Sequence, residues 1–299
     1  MQTELCALSD ELRDFLRRHG VLDWDEATIE AIVSGLAGNR VLVVRDGGAL
    51  VLVGCLLHDL GNPDGASEII PLACLGRERV PEALAALVTD GEQRLRDYGA
   101  RRIEIQVPPK LGGIEPVLAP LGYRCTWENV DLELAPLDAH RRVRHQLPAG
   151  AAWCELGEPS LAPAYACYER ALRTVPGAQI PPFEEFARII PTLLPRQRLL
   201  MRDGQVLAFT RVGWKDEARG SGEIFTLGRD PDAHYPGLGA LALLEAVRVL
   251  GMLGAKRAEL TMSSRNLLAM GLYARFGFAT KGRRAVLQKE LAPTGALTR

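Results

Sequence analysis

Apolar positions along the chain recur with two periods, every second residue or every three to four, and the switches between them delimit the elements. In the second half WCEL (153–156) predicts a short strand, and SLAPAYACYERALRTV (160–175) a helix capped by Ser160. PPFEEFARIIPTLL (181–194) predicts a second helix opened by its prolines. RLLMRDGQVLAFTRVGW (198–214) is a hairpin, because Asp203-Gly204 accepts the positive φ angles of a two-residue turn. GEIFTLGRD (222–230) follows as a strand, GLGALALLEAVRVLGML (237–253) as a helix apolar almost all round and hence buried, and KRAELTM (256–262) as an alternating strand. NLLAMGLYARFGF (266–278) is a helix ended by Gly277, with Leu268, Leu272 and Phe276 expected to fix it to a sheet. ATKGRRAVLQKEL (279–291) reads as a final strand pair. The sum is an α/β (α+β) domain in which an antiparallel meander leads into a β-α-β unit.

The same plan occurs twice. YGARRIEIQV (98–107) resembles LGAKRAELTM (253–262), and LAPLGY (118–123) resembles YARFGF (273–278), with a constant offset: 254 − 99 and 277 − 122 are both 155. RDGGALVLVG (45–54) and RDGQVLAFTRVG (202–213) align at 202 − 45, or 157, a small loop difference. Agreement across a hairpin, a strand and a helix indicates duplication of a whole domain. The expected division is 1–138, a linker at 139–150, and 151–299. The linker reading rests on LDAHRRVRHQLPAGAA (137–152), where clustered Arg and His precede Pro148 and Gly150.

Composition narrows the partners. The net charge of −1 gives no general attraction to nucleic acid or anionic membrane, and no segment approaches the roughly 18 apolar residues of a membrane span. The start, MQTELCALSDELRDF, lacks a signal-peptide pattern, so a cytoplasmic location is expected. Cys6, Cys55, Cys74, Cys125, Cys154 and Cys167 form no CxxC pair and read as buried reduced thiols. His140 and His145 have a spacing that zinc uses, but no cysteine pair precedes them, and no metal is expected.

Chemistry concentrates in the second copy. RDPDAHYPGLGALALLEAV (229–247) puts Gly237 and Gly239 between a strand and a helix start, where free N–H groups and the helix dipole favour a pyrophosphate. A strand, an Asn-started helix and Tyr273 follow. This constellation resembles the GNAT superfamily of acyl-CoA N-acyltransferases, closely over 222–291 and loosely over the rest of the second copy. The six positions His234, Tyr235, Pro236, Gly237, Leu238 and Gly239 match the family's Q/R-x-x-G-x-G/A segment, with His234 replacing Gln or Arg and Pro236 lacking an N–H. The layout of two tandem GNAT-like domains with a catalytic second half is similar to that of mycothiol synthases.

The resemblance implies acetyl-CoA, or another acyl-CoA, as co-substrate. It implies that the strand before the loop splays and offers backbone N–H groups at Leu227, Gly228 and Arg229 to the thioester and its pantetheine arm. His234, Tyr235, Gly237, Leu238, Gly239 and Ala240 would hold the pyrophosphate, and Asn266 would bond the pantetheine or cap its helix. Tyr273 matches the family tyrosine near the thioester sulfur. A phenol of pKa near 10 giving its proton to a thiolate whose acid has pKa of about 8.5 is an uphill transfer of roughly 2 kcal/mol. Glu223 matches a position where some members keep a glutamate base; Asp230 is assigned to the loop and Glu245 to a helix surface. At an offset of 155 the first copy has Glu82, Leu84, Leu111 and Leu118 in place of Gly237, Gly239, Asn266 and Tyr273, so it is expected to be degenerate. The expected activity is direct N-acyl transfer in a ternary complex to a small-molecule amine, by a monomer or homodimer. The alternatives are a protein or peptide acceptor, or a CoA-binding sensor without turnover.

Overall fold

The computed structural model describes residues 1–6, 9–21, 41–58, 66–76, 78–111, 113–137, 146–175, 178, 180–184, 186–188 and 196–291. Most of the expected linker and the far half of the helix expected over 181–194 lie outside them; within that helix, residues 183–184 and 186–188 are helical. The chain packs as two compact units, Met1–Glu128 with Arg284–Arg299, and Asn129–Arg283.

The first unit holds β1 (Gln2–Cys6), α1 (Asp10–His19), β2 (Val41–Asp46), β3 (Ala49–His58), β4 (Ala66–Cys74), α2 (Val80–Asp97), β5 (Arg102–Gln106), α3 (Glu115–Leu118) and the start of β6 (Arg124–Leu134). β1 to β4 pair antiparallel, and β4 pairs parallel with β5. Successive side chains of a strand face opposite ways, so the run VLVV in β2 serves two layers. Val41 and Val43 pack with Leu12 and Leu16 of α1, and Leu42 and Val44 pack with Leu84 and Leu87 of α2.

The second unit continues β6 and adds β7 (Ala152–Glu155), α4 (Leu161–Arg173), β8 (Arg196–Arg202), β9 (Gln205–Asp216), β10 (Ser221–Arg229), α5 (Leu238–Met252), β11 (Arg257–Ser263), α6 (Leu267–Arg275) and the start of β12 (Ala279–Glu290). β7 to β10 pair antiparallel and β10 runs parallel to β11. Asp203 and Gly204 take φ of 50° and 77°, the two left-handed positions that the hairpin turn demands. α4 packs through Cys167, Tyr168 and Ala171 on Leu199 and Phe209, while α5 packs through Leu238 and Leu241 on Leu200 and Ala208 of the opposite face.

The closing strands are exchanged between the copies. β12 pairs antiparallel with β5, Ile103 opposite Lys289, and β6 pairs antiparallel with β11, Ala258 opposite Leu134. The differences 258 − 103 and 289 − 134 are both 155, so each strand occupies, residue for residue, the place of its counterpart. Leu287 and Leu291, from the end of the chain, thereby complete the core of the first unit. The units are accordingly not the contiguous halves 1–138 and 151–299, because the sheet register and not the linker decides which core each strand closes.

Local expectations change as well. Residues 279–290 form one strand rather than a pair. Ser160 makes no cap bond to α4; its hydroxyl and the Gly157 backbone bond each other twice at 2.9 Å, closing a short turn before the helix. Glu245 is buried rather than on a helix surface, because Arg198 (3.1 Å) and Arg248 (2.7 Å) neutralise it. Cys55 and Cys167 are buried, but Cys125 is exposed and the other three thiols are partly so. Leu268 is 86% exposed and does not attach α6; the inward side of that helix is Ala269, Met270, Leu272, Tyr273 and Phe276.

Residues 1–123 produced alone lack both β12 and its counterpart β6 and leave the edge of β5 bare, so this fragment is expected to aggregate or to show no cooperative thermal melt. A soluble 1–123 fragment melting like a folded domain in circular dichroism would show that the core of the first unit does not depend on a closing strand.

Candidate active site

The site begins where β10 leaves β11. Parallel pairing covers Ser221–Glu223 against Arg257–Glu259 and then stops, although β10 stays paired with β9 as far as Arg229 and β11 stays paired with β6 as far as Ser263. A bulge at Phe225 accompanies the parting, since Ile224 faces Val212 and Thr226 faces Arg211. From Ile224 to Arg229 one edge of β10 therefore has no strand against it. In the first unit the corresponding strands β4 and β5 pair over four residues, 66–69 with 102–105, and the bulge falls later.

Packing holds the free edge in place. A Cβ on Gly228 would stand 2.6 Å from the Phe209 ring and 3.3 Å from Ala171, so only glycine lets β10 lie beneath α4 here. Leu227 packs into two adjoining apolar clusters that both include residues of α5, and Arg229 is exposed, its Nη1 donating to the Asp230 carbonyl at 3.3 Å. Asp230 then turns the chain. Its carboxylate accepts from Arg170 Nε (3.1 Å) and Nη2 (2.6 Å) and from the Asp232 N–H (3.1 Å), and its own N–H donates to Leu207. The Arg170 bonds hold its pKa below the usual carboxylate range. Asp230 is thus a structural anchor, and its partner Arg170 carries no sequence signal that would have revealed it.

The loop ends at the start of α5. Gly237 sits at φ 83° with open space where a side chain would be, and no side chain caps the helix. The N–H groups of Leu238, Gly239 and Ala240 have no acceptor within the helix and, with the dipole, make this end receptive to an anion. Tyr235 lies under the Arg202 guanidinium, 5.4 Å from the ring centre, and His234 is exposed on the loop. Leu272 of α6 comes within 3.6 Å of where a Gly239 Cβ would stand, which joins the two motif helices.

Asn266 caps α6, its Oδ1 accepting from the Ala269 N–H at 3.1 Å, a contact worth about 1 kcal/mol to the helix. Tyr273 is the most buried residue of α6, packed against Phe278 at 5.6 Å between ring centres and in one cluster with Ile224 and Leu227. Its hydroxyl has no hydrogen-bond partner among the described residues. Burial raises its pKa well above that of an ordinary phenol, so it keeps its proton at every physiological pH.

Glu223 directs its side chain to the opposite face from Ile224, so acid and base candidates flank the gap from two sides. It lies beside Glu259 in the parallel register. Burial pulls Glu259 up, but bonds from Ser221 Oγ (2.6 Å), Lys215 Nζ (3.1 Å) and Lys281 Nζ (3.1 Å) outweigh that and bring it down to about 2. The first unit has the same pair, Glu68 beside Glu104, and there burial followed by the charge of Glu104 raises Glu68 to about 7. A glutamate at this position is therefore common to both copies and does not by itself distinguish them.

The other features are particular to the second unit. α2 begins at Val80, where α5 would give residue 83, so helix covers the positions of the glycine loop; Glu82 is exposed and Leu84 fully buried. Leu118, at the place of Tyr273, is fully buried in a four-residue helix where α6 has nine residues.

A model of the acetyltransferase (GNAT) family matches residues 160–278. Among solved structures, a tandem GNAT protein from the clavulanic acid biosynthesis pathway aligns over 98% of this chain and 99% of its own, at 15% identity and a TM-score of 0.71. A GCN5-related N-acetyltransferase from Sphaerobacter thermophilus aligns over 90% of this chain and 86% of its own, at 18% identity and a TM-score of 0.66. A search of curated proteins finds no match. At these identities the structural likeness establishes the fold, two GNAT-like domains in tandem.

Glu259 provides a test of the electrostatics. Its folded pKa of about 2 lies below the ordinary 4.5, so its stabilisation is full above pH 4.5 and disappears as pH falls towards 2. Melting temperatures of Glu259→Gln are expected to lie below wild type at pH 6 and to converge with it between pH 4.5 and 2; a constant difference would contradict the assignment.

Proposed function

From the match of residues 160–278 to the acetyltransferase (GNAT) family model we propose that the second unit transfers an acetyl or other short acyl group from acyl-CoA to the primary amine of a small molecule. The observation that carries the reading is the open edge of β10 running into the uncapped, glycine-lined start of α5, with Tyr273 in the apolar cluster that Ile224 and Leu227 of that strand join. A thioester carbonyl against that edge meets backbone N–H donors, which stabilise the oxyanion formed when the amine nitrogen attacks. The C–N bond forms, the C–S bond breaks, and the leaving thiolate takes the proton of the Tyr273 hydroxyl. The attacking amine gives up its proton to Glu223 directly or through water, since an amine of pKa near 10.4 is mostly charged at pH 7. Leu227, Gly228 and Arg229 supply the edge, and Gly237, Leu238, Gly239 and Ala240, with His234 and Tyr235 on the approach, receive the pyrophosphate.

Raising the phenol by burial makes proton transfer to a resting thiolate steeper than it is in water. The transfer then belongs to the moment when charge builds on sulfur next to the ring, which suits an acid that must not ionise early. Direct transfer in a ternary complex is the route this reading takes, since among the described residues none at the gap is placed as a covalent nucleophile.

Thiol release from acetyl-CoA with a panel of amines is expected to fall about 100-fold or more in kcat for Tyr273→Phe, with CoA affinity by calorimetry unchanged. An unaltered rate in that variant would remove the phenol from the mechanism. A Cβ added at Gly239 meets Leu272 at an ordinary contact distance of 3.6 Å, so Gly239→Glu is admitted at its first side-chain atom and sets a negative charge at the helix start. It is expected to weaken CoA binding at least about tenfold while melting like wild type; equal binding would place the pyrophosphate elsewhere.

A further inference from the structure

The sheet face of the second unit that α4 covers carries a cation that neither the packing nor the proposed mechanism uses. Arg211 on β9 is 8% exposed, and among the described residues its Nε and Nη1 have no hydrogen-bond partner. The register sets Gln197 of β8 on one side of it and Thr226 of β10 on the other. Gln197 is also buried, and its Oε1 lacks a partner as well. Burial pushes the guanidinium down to about 10, opposed by the Tyr168 phenol, so it is still a cation at neutral pH. Among the described residues no carboxylate forms an ion pair with it. Burying a charge with no counter-charge is among the costliest arrangements a fold can retain.

The first unit shows that the fold does not need it. There the same register pairs Val41 with Cys55, and 197 − 41 and 211 − 55 are both 156; the partner of Cys55 on β4 is Ile70. All three are buried apolar residues packed on α1. Where one copy has Val, Cys and Ile, the other has Gln, Arg and Thr. Glu223 shares the face with Arg211, because its β9 partner Gly213 lies two residues along the strand, about 7 Å away.

We infer that Arg211, flanked by Gln197 and Thr226, is an acceptor subsite that binds the anionic group, carboxylate or phosphate, of the small amine being acylated. The inference rests on the transferase reading and adds to it the class of acceptor: amino acids or aminoalkyl phosphates, not polyamines or uncharged amines. The anion neutralises the buried guanidinium and leaves the amine a few bonds away, towards Glu223 and the gap.

Thiol release from acetyl-CoA is measured with 4-aminobutyrate against 4-amino-1-butanol, and with 2-aminoethyl phosphate against ethanolamine, for wild type, Arg211→Met and Arg211→Lys. The two acids are also titrated calorimetrically onto the CoA-loaded proteins, a readout that needs no turnover. Wild type is expected to prefer the charged member of at least one pair about tenfold or more in kcat/KM, and which pair responds distinguishes carboxylate from phosphate. Arg211→Met is expected to lose both the preference and the binding, and Arg211→Lys to keep part of each. Arg211→Met is expected to melt at or above the wild-type temperature, having shed a buried charge, which separates lost binding from lost fold. Equal rates within both pairs in wild type, or acid binding that survives in Arg211→Met, overturns the subsite. Acids that bind wild type but not Arg211→Met, with no amine acylated, uphold the subsite and overturn the transferase reading.

Discussion

A parallel ladder that stops after three residue pairs is the constraint on which the rest of the second unit depends. Backbone N–H and C=O groups are obligatory hydrogen-bonding groups, and a sheet that abandons them in its middle must hold them apart by force from elsewhere. That force comes from three directions. β9 keeps its grip on β10, β11 commits its other edge to β6, and Arg170 ties down the turn at Asp230. Gly228 lets α4 press the strand flat without a side chain in the way. The gap is thus a product of good packing around it, and a substrate rich in amide and carbonyl groups is what would complete the ladder.

Much of this was legible in the sequence because it rests on local rules. The Asp203-Gly204 turn, the apolar helix after the glycine loop, the Asn266 cap and the left-handed Gly277 each depend on a few neighbouring residues. What was not legible depends on partners far along the chain. Leu268 fits an inward stripe by period, yet α6 turns Tyr273 inward instead, because the neighbouring strand and Phe278 decide which side is covered. Glu245 looked like a surface residue until Arg198, 47 positions away, reached it. The strand exchange was invisible for a sharper reason: β6 and β12 are counterparts in one register, so either satisfies the pattern of either core.

Comparing the copies separates what the fold requires from what it merely tolerates. Both keep the turn glycines at 99 and 254 and at 122 and 277, all with φ near 90°, and both keep a glutamate pair across the parallel strands. They differ at the helix start, at Tyr273 and Leu118, and at the Gln197–Arg211–Thr226 row. A second copy on the same scaffold serves as an internal reference state. Polar groups that appear in one copy and are replaced by well-packed apolar residues in the other are costs the architecture did not impose.

The exchanged strands also order events in time. Ile105 waits for Leu287, a partner that leaves the ribosome 182 residues later, because 287 − 105 is 182. Through most of synthesis, at roughly 5–20 residues per second, the first unit has an unfinished edge. It reaches the pairing seen here only after the second unit has been made in full. The edge of β5 therefore waits roughly 9–36 s for its final partner. Completion of the first unit then becomes the last step of folding, so that a chain with a finished first unit is one whose second unit has already been made.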